Sequence, residues 1–202
     1  MLTQYKDHFR RAPEAVARVF IRLGFSPNGL TLFGLLGGWV TCFIFVWTKN
    51  PILFGFLMII WGLFDAVDGA AARLTNRATK FGSYLDAMCD RLFEVGACLA
   101  AAYVTGYWTL LFLLMAGILL TSYAKARAAM EVNVQNNEWP DFMERTERGF
   151  IFTIGIILWG FFPQLFWGKS LFFWVIIVLT LAVYGTVLQR MLRAKRLIES
   201  RS

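Results

Sequence analysis

The sequence predicts an all-α integral membrane protein with six transmembrane helices, preceded by an amphipathic helix at the membrane interface. Of its 202 residues, 58% are hydrophobic, whereas soluble domains are usually about 45–50% apolar. These apolar residues lie in runs of roughly 20, the length that crosses a bilayer. The three cysteines lie inside such runs and lack the spacing of a disulfide framework or a metal knuckle. A soluble enzyme, a disordered protein and a nucleic-acid-binding domain are therefore disfavoured.

The segment 1–25 is expected to form the interfacial helix. Apolar residues recur there at helical spacing: Val16, Val19, Phe20 and Leu23. Arg18 and Arg22 lie beside them, and Pro13 followed by Glu14 suits the first turn of a helix. This pattern favours a helix lying on the anionic cytoplasmic leaflet. The alternative is a basic arm that only sets the orientation of the chain.

Long apolar runs bounded by Pro, Gly, Asn or charge predict the six spans. They are 30–47, 52–74, 82–105, 108–127, 149–167 and 171–189. These spans define one membrane domain over 26–196, followed by a short cytoplasmic tail at 197–202.

The distribution of Lys and Arg along the chain sets the expected orientation. Basic residues precede span 1, flank the links between spans 2 and 3 and between spans 4 and 5, and follow span 6. The links on the other side carry Lys49 and Lys169 alone. By the positive-inside rule, both termini and the two basic links face the cytoplasm. We therefore expect a multi-pass protein of the cell (plasma) membrane.

Four carboxylates in spans 2 and 3 are the main candidate site. Asp65 and Asp68 are three residues apart, Asp86 and Asp90 are four apart, and each pair shares a helix face. A short link joins the two spans, so the four side chains can converge. Each charge near a bilayer centre costs about 2.5–3.5 kcal/mol, and four carboxylates that converge also repel one another. Protonation or bound divalent cations must offset this repulsion. All-oxygen ligands suit Mg²⁺, Mn²⁺ or Ca²⁺. The alternative is four unrelated aspartates at helix ends.

The surroundings of these aspartates favour a phosphorylated substrate. Gly69 and Gly82 would let a backbone or ligand approach closely, and Arg73 offers a donor at the mouth of the cleft. Cations together with basic donors suit a diphosphate. Glu94 lies one turn further on, and we expect it to pair locally with Arg91.

One stretch resembles the complete signature of the CDP-alcohol phosphotransferase family, also called the class I CDP-alcohol phosphatidyltransferases. It runs Asp65-Ala-Val-Asp68-Gly69-Ala-Ala-Ala72-Arg73 and, after eight intervening residues, Gly82-Ser-Tyr-Leu-Asp86-Ala-Met-Cys-Asp90. All eight signature positions match over 26 residues. The six spans and the N-terminal interfacial helix are also similar to the family.

The resemblance implies a metal-dependent enzyme that transfers the phosphoryl-lipid part of a CDP-lipid to an acceptor hydroxyl and releases CMP. It implies Mg²⁺ or Mn²⁺, two ions, held by Asp65, Asp68 and Asp86. Asp90 would be the catalytic base and would also contact a metal. The implied CDP-lipid pocket consists of Asn28, Thr31, Asp68, Gly69, Ala72, Arg73 and Gly82. For Asn28, an alternative is a helix N-cap that opens span 1.

Basic residues outside the signature bear on the acceptor. They are Lys125, Arg127, Arg148 and Arg190. These residues could form an anion-binding site, but the positive-inside rule and snorkelling also explain basic residues at helix ends. Charge alone therefore leaves both interpretations open. Lys125 and Arg127 are two residues apart and cannot share a helix face unless the helix end frays.

Two further stretches resemble the phosphatidylinositol-phosphate and archaetidylinositol-phosphate synthase branch of the family. They are Ser122-Tyr-Ala-Lys-Ala-Arg127 and Glu144-Arg-Thr-Glu-Arg148. In that branch the matching basic residues hold the phosphate of inositol 1-phosphate. The resemblance also implies a homodimer with the active site facing the cytoplasm, and no nucleic-acid partner is expected.

Other functions remain as alternatives. The same chemistry with glycerol 3-phosphate as acceptor also needs cations for a phosphate. A cation or proton transporter would place carboxylates near the midplane, often in repeated halves, and the sequence has neither feature. Nothing positive supports a metal-binding structural protein. The donor lipid could be a CDP-diacylglycerol or its archaeal ether counterpart, since both have hydrocarbon tails that apolar grooves bind alike.

Overall fold

The structure is a computed structural model that describes residues 2–132, 143 and 145–201, with side chains from residue 12 to residue 200 of those ranges. Glu144 of the resembling stretch lies outside the described residues. The described part of the chain is nearly all helical. Its helices are α1 (Leu2–Arg22), α2 (Pro27–Thr48), α3 (Pro51–Leu74), α4 (Lys80–Thr105), α5 (Trp108–Glu131), α6 (Arg145–Phe161) and α7 (Leu171–Arg201).

Each of the six predicted spans overlaps one of these helices, from α2 to α7. Among the described residues, four helices are long and apolar enough to cross a membrane: α2, α3, α5 and α7. α4 has sufficient length, but it carries the charged residues of the candidate site, and α6 has 17 residues. The composition of the helices therefore supports a multi-pass membrane protein.

The chain divides into two compact units, residues 1–49 with 53–97 and residues 50–52 with 98–202. In the first unit, α1 packs through fully buried Ala17 and partly buried Phe20 onto a cluster that includes Leu30 and Val67. Val16, Val19 and Leu23 of the predicted apolar face are exposed instead. α1 thus presents apolar side chains both to the protein and away from it.

α1 begins at Leu2, so the prediction that Pro13 lies in its first turn was wrong. Proline removes one backbone hydrogen bond from a helix interior and disfavours it by about 3 kcal/mol, but this cost does not prohibit a continuous helix.

The start of α2 also differs from the N-cap alternative. Ser26 is the N-cap: its hydroxyl accepts a hydrogen bond from the amide of Gly29, and Pro27 occupies the first helical position. Asn28 therefore lies inside the first turn. Further along, Gly37 and Gly38 leave room for the rings of Trp61 and Phe93. These close contacts fix α2 against α3 and α4.

A short turn joins α3 to α4 and sets the distance between the two halves of the signature. Asn76 has a left-handed φ of 53°, and its amide donates to the carbonyl of Arg73, while Arg77 donates to that of Ala72. Thr79 lies directly before α4, and its hydroxyl accepts from the Gly82 amide at 3.0 Å, as the side chain of an N-cap residue does. The turn thus ends one aspartate-bearing helix and begins the next.

The second unit contains α5, α6, α7 and a small hairpin. Gly117 of α5 lies against Val183, and Gly155 of α6 lies against Val175, both on α7. Strands β1 (Leu165–Phe166) and β2 (Lys169–Ser170) form the antiparallel hairpin.

Two helix ends in this unit differ most from the predicted spans. α6 ends at Phe161 rather than at residue 167, because Pro163 and the hairpin follow it directly. α7 continues to Arg201, since the basic segment after residue 189 holds good helix formers.

Candidate metal and substrate site

Three aspartates of α3 and α4 converge in the first unit. Asp65, Asp86 and Asp90 each offer a carboxylate oxygen, and these oxygens all lie within 4.8 Å of one another. Asp86 and Asp90 share a face of α4 because they are one turn apart. Asp90 is the most enclosed of the three, with 8% of its surface exposed. These three residues are hereafter the aspartate trio.

Asp68, the fourth predicted ligand, lies outside the trio among the described residues, although Asp65 and Asp86 both act on it electrostatically. Both of its carboxylate oxygens accept hydrogen bonds. The hydroxyl of Thr31 donates to Oδ2 at 2.5 Å, and the amide of Gly69 donates to Oδ1 at 2.5 Å. Asp68 is thus attached to α2 as well as to its own helix.

The chemistry of the trio fits a divalent cation. Three hard, anionic oxygens at this separation repel one another, and a small dication offsets that repulsion while taking all three as ligands. The donor set contains oxygen alone, which suits Mg²⁺, Mn²⁺ or Ca²⁺ better than softer metals. Asp65, Asp86 and Asp90 could therefore hold a metal, with Asp68 beside them.

Two glycines border the residues expected to bind the donor. A Cβ on Gly82 would lie 3.2 Å from Asn28 Oδ1 and 3.2 Å from Thr79 Oγ1, and one on Gly69 would lie 3.4 Å from Arg73 Nη1. Glycine at these positions keeps the backbone within reach of polar side chains. The structure therefore brings Asn28 to Gly82, and Arg73 to Gly69, within the first unit.

The expected local ion pair on α4 is confirmed. Arg91 Nη1 lies 2.6 Å from Glu94 Oε2, in an (i, i+3) arrangement. Glu94 is accordingly paired on its own helix, where Arg91 offsets its charge.

The four basic residues of the second unit have different environments. Arg148 and Arg190 are buried, with 4% and 7% of their surfaces exposed. Arg148 Nη1 donates to the carbonyl of Met143 at 3.2 Å, and Arg190 Nη1 donates to the carbonyl of Thr121. Each guanidinium group is thus held inside the protein by at least one backbone carbonyl.

Lys125 and Arg127 lie on an unfrayed stretch of α5, because that helix continues to Glu131. Arg127 forms an ion pair with Glu131 at 2.5 Å, and its side chain is half exposed. Lys125 is half-buried and lies one turn after Thr121, the residue that binds Arg190. The two residues therefore project from different faces, as their spacing indicated.

Sequence reasoning missed two contacts. The first is the bond from Thr31 to Asp68, and the second is the bond from Arg190 to the carbonyl of Thr121. Each joins residues that are distant in sequence, and the second uses a backbone acceptor that no side-chain pattern reveals. The sequence also did not predict that Arg148 and Arg190 are buried, because a buried arginine and an exposed positive-inside arginine look alike in a sequence.

Comparison with known proteins places the chain in a family. Residues 25–194 match the family model for CDP-alcohol phosphatidyltransferase. The chain is 32% identical to the phosphatidylinositol phosphate synthase of Mycobacteroides abscessus, over 92% of this chain and 84% of the relative. It is also 32% identical to the archaetidylinositol phosphate synthase of Pyrococcus horikoshii, over 64% of this chain and 69% of the relative.

Solved structures of the Mycobacterium tuberculosis phosphatidylinositol phosphate synthase share the fold. The form with CDP-DAG bound matches with a TM-score of 0.79 and 25% identity, over 91% of this chain and 94% of that one. The form in complex with manganese and citrate also matches with a TM-score of 0.79 and 25% identity, over 90% of this chain and 88% of that one. With the signature aspartates gathered on α3 and α4, and with the family model covering most of the chain, this protein belongs to the CDP-alcohol phosphatidyltransferase family.

Proposed function

We propose that the protein is a phospholipid-synthesising transferase that moves the phosphatidyl, or archaetidyl, group of a CDP-lipid to a hydroxyl of inositol 1-phosphate. The acceptor oxygen attacks the lipid-side phosphorus of the diphosphate. A new P–O bond forms, the bond to the bridging oxygen of CMP breaks, and the hydroxyl proton leaves to a base. The convergence of Asp65, Asp86 and Asp90 is the observation that carries this proposal.

The proposed metal ligands are Asp65, Asp68, Asp86 and Asp90, which would hold Mg²⁺ or Mn²⁺, two ions in all. The bound metal would polarise the diphosphate and offset the charge that develops on the leaving CMP. The trio's oxygen-only donor set supports this assignment, as does the manganese complex of a related structure.

Asp90 is the proposed base. Its burial limits access of water to the carboxylate, which favours proton transfer from a bound hydroxyl over exchange with solvent. An aspartate has a low pKa in water and is a weak base there, so the alignment of the acceptor hydroxyl matters more than intrinsic basicity.

The proposed donor pocket lies in the first unit. Asn28, Gly69, Ala72, Arg73 and Gly82 would contact the CDP part, with the two glycines allowing close approach of the backbone. Thr31 would border the same pocket. The neighbouring positions of Asn28 and Gly82, and of Arg73 and Gly69, support this grouping.

The acceptor phosphate would be bound by basic residues of the second unit. Arg148 and Arg190 are the main candidates because both are buried, and an arginine fork binds a phosphate with two parallel hydrogen bonds. Lys125 would add a third cation. Arg127 would lie at the edge of this phosphate site, because Glu131 already offsets its charge. Glycerol 3-phosphate stays the second candidate acceptor, and the inositol-phosphate enzymes among the relatives favour the first.

We infer a six-span protein of the cell membrane, with both termini and the active site in the cytoplasm. α4 and α6 would add two spans to the four apolar helices. Residues 1–25 would lie at the interface, 26–196 would form the catalytic membrane domain, and 197–202 would end in the cytoplasm. The exposed apolar side chains of α1 support the interfacial placement. A homodimer is proposed from the family resemblance.

Release of CMP by the purified protein tests the function. CDP-diacylglycerol and Mg²⁺ would be supplied, with inositol 1-phosphate, glycerol 3-phosphate, free inositol and serine offered in separate reactions. We expect release with inositol 1-phosphate alone. Release with another acceptor would contradict the acceptor assignment and leave the transfer chemistry intact. If all four fail with both diacyl and ether donors, the transferase proposal is wrong.

A further inference from the structure

Thr31 makes an unusual contact for a helical threonine. Its Oγ1 lies 3.2 Å from the carbonyl of Pro27 and 2.5 Å from Asp68 Oδ2. Threonines inside helices ordinarily donate to the carbonyl four residues earlier, as Thr41 and Thr48 do on the same helix. Thr31 has one hydroxyl proton for two acceptors, and the nearer, charged carboxylate takes it.

This bond completes the restraint on the Asp68 carboxylate. Oδ1 accepts from the amide of Gly69, and Oδ2 accepts from Thr31. The terminal torsion of an aspartate is otherwise broad, so a carboxylate without such partners turns easily. Two donors, one on α3 and one on α2, leave Asp68 with a defined orientation beside the trio.

We propose that Thr31 is a positioning residue that sets the orientation of Asp68. It thereby raises the divalent-cation affinity of the site formed by Asp68 and the aspartate trio. This role differs from direct contact with the CDP part of the donor. It rests on the proposed function, because it takes Asp68 as a metal ligand. It also makes α2 part of the metal site, since α2 carries Thr31.

The size of the effect follows from other metal sites. Hydrogen-bond partners of metal-ligating groups typically change metal affinity by about 10- to 100-fold when they are removed. In Thr31→Val, a methyl group replaces the hydroxyl while the shape of the side chain is kept. The variant therefore removes the bond to Asp68 and leaves the packing of α2 nearly intact.

The test measures Mn²⁺ binding to the full chain in the absence of nucleotide and lipid donor, from the electron paramagnetic resonance signal of free Mn²⁺. Thr31→Val should bind Mn²⁺ about 10- to 100-fold more weakly than the wild-type protein. Thr31→Ser, which keeps the hydroxyl, should recover most of that loss. Thr41→Val is the matched control, because it removes a hydroxyl from the same helix whose acceptor is the carbonyl of Gly37.

The outcomes separate this inference from the proposed function. Equal Mn²⁺ affinity in Thr31→Val and wild type would overturn the positioning role, even if CDP-lipid binding fell. An equal loss in Thr41→Val would also overturn it, since the effect would then belong to α2 as a whole. Absence of Mn²⁺ binding by the wild-type protein would overturn the metal site itself. Thr31→Ala provides the same comparison if Thr31→Val does not fold.

Discussion

Arg190 of α7 donates a hydrogen bond from Nη1 to the backbone carbonyl of Thr121 on α5, within the second unit. The contact is buried, and Arg190 has 7% of its surface exposed. One side chain thus connects α5 and α7. Because the fold already fixes the Arg190 side chain, binding an anion there costs little side-chain conformational entropy.

Replacing Arg190 should therefore affect the acceptor more than the donor. We expect Arg190→Lys to raise the KM for inositol 1-phosphate by at least about 10-fold, because lysine keeps the charge but cannot form the fork. The KM for the CDP-lipid should change little. Steady-state CMP release with each substrate varied in turn measures both constants.

Lys195→Ala is the control for this prediction. Lys195 is exposed on the same helix and lies 3.7 Å from Glu199, so its removal should leave both KM values unchanged. A rise in the KM for the CDP-lipid in Arg190→Lys, without a rise for the acceptor, would contradict the assignment of Arg190 to the acceptor phosphate.

Asp90→Asn should abolish CMP release and leave binding of the CDP-lipid largely intact. The amide has the shape of the carboxylate but cannot take the proton of the acceptor hydroxyl. General-base catalysis commonly contributes about 10²- to 10⁴-fold, so we expect a loss of at least that size in kcat. Turnover near the wild-type rate would show that another group accepts the proton.

Much of the fold follows from the sequence because apolar runs and their boundary residues are local signals. The starts of α5 at Trp108 and of α7 at Leu171, and the end of α3 at Leu74, agree with the predicted spans to the residue. The end of α6 was misplaced because the apolar residues after Phe161 belong to a hairpin, whose composition resembles that of a span.

The candidate site was predictable in part for the same reason. The periodicity of Asp86 and Asp90 indicates one helix face, and the structure gathers both with Asp65. Helical spacing cannot indicate that Asp68 turns toward Thr31, which lies 37 positions earlier. That contact depends on how α2 packs against α3, and packing is decided by tertiary contacts such as Gly37 against Trp61.

Gly37→Ala should destabilise the first unit. A Cβ at this position would lie 2.0 Å from Cζ2 of Trp61, far inside van der Waals contact, so the indole or the helix must move. Overpacking of this kind costs about 1–3 kcal/mol, which corresponds to a fall in apparent Tm of roughly 2–12 °C for a chain of this size. Thermal unfolding in detergent measures it. Gly62→Ala is the control, because nothing lies within 4 Å of its Cβ, and an equal loss there would refute the steric explanation.

Gly82→Ala should weaken donor binding while leaving the fold intact. The added Cβ would lie 3.2 Å from Asn28 Oδ1, so the amide must shift by a few tenths of an ångström. If Asn28 and Gly82 both border the CDP-lipid, the KM for the donor should rise about 3- to 10-fold, equivalent to roughly 0.7–1.4 kcal/mol. The KM for inositol 1-phosphate should stay unchanged, since neither Gly82 nor Asn28 is among the proposed acceptor residues. Donor-varied CMP release compares this variant with Gly62→Ala, which adds the same methyl group to open space on α3. An unchanged donor KM in Gly82→Ala would remove Gly82 from the pocket, and the argument for Asn28 would then rest on its family resemblance alone.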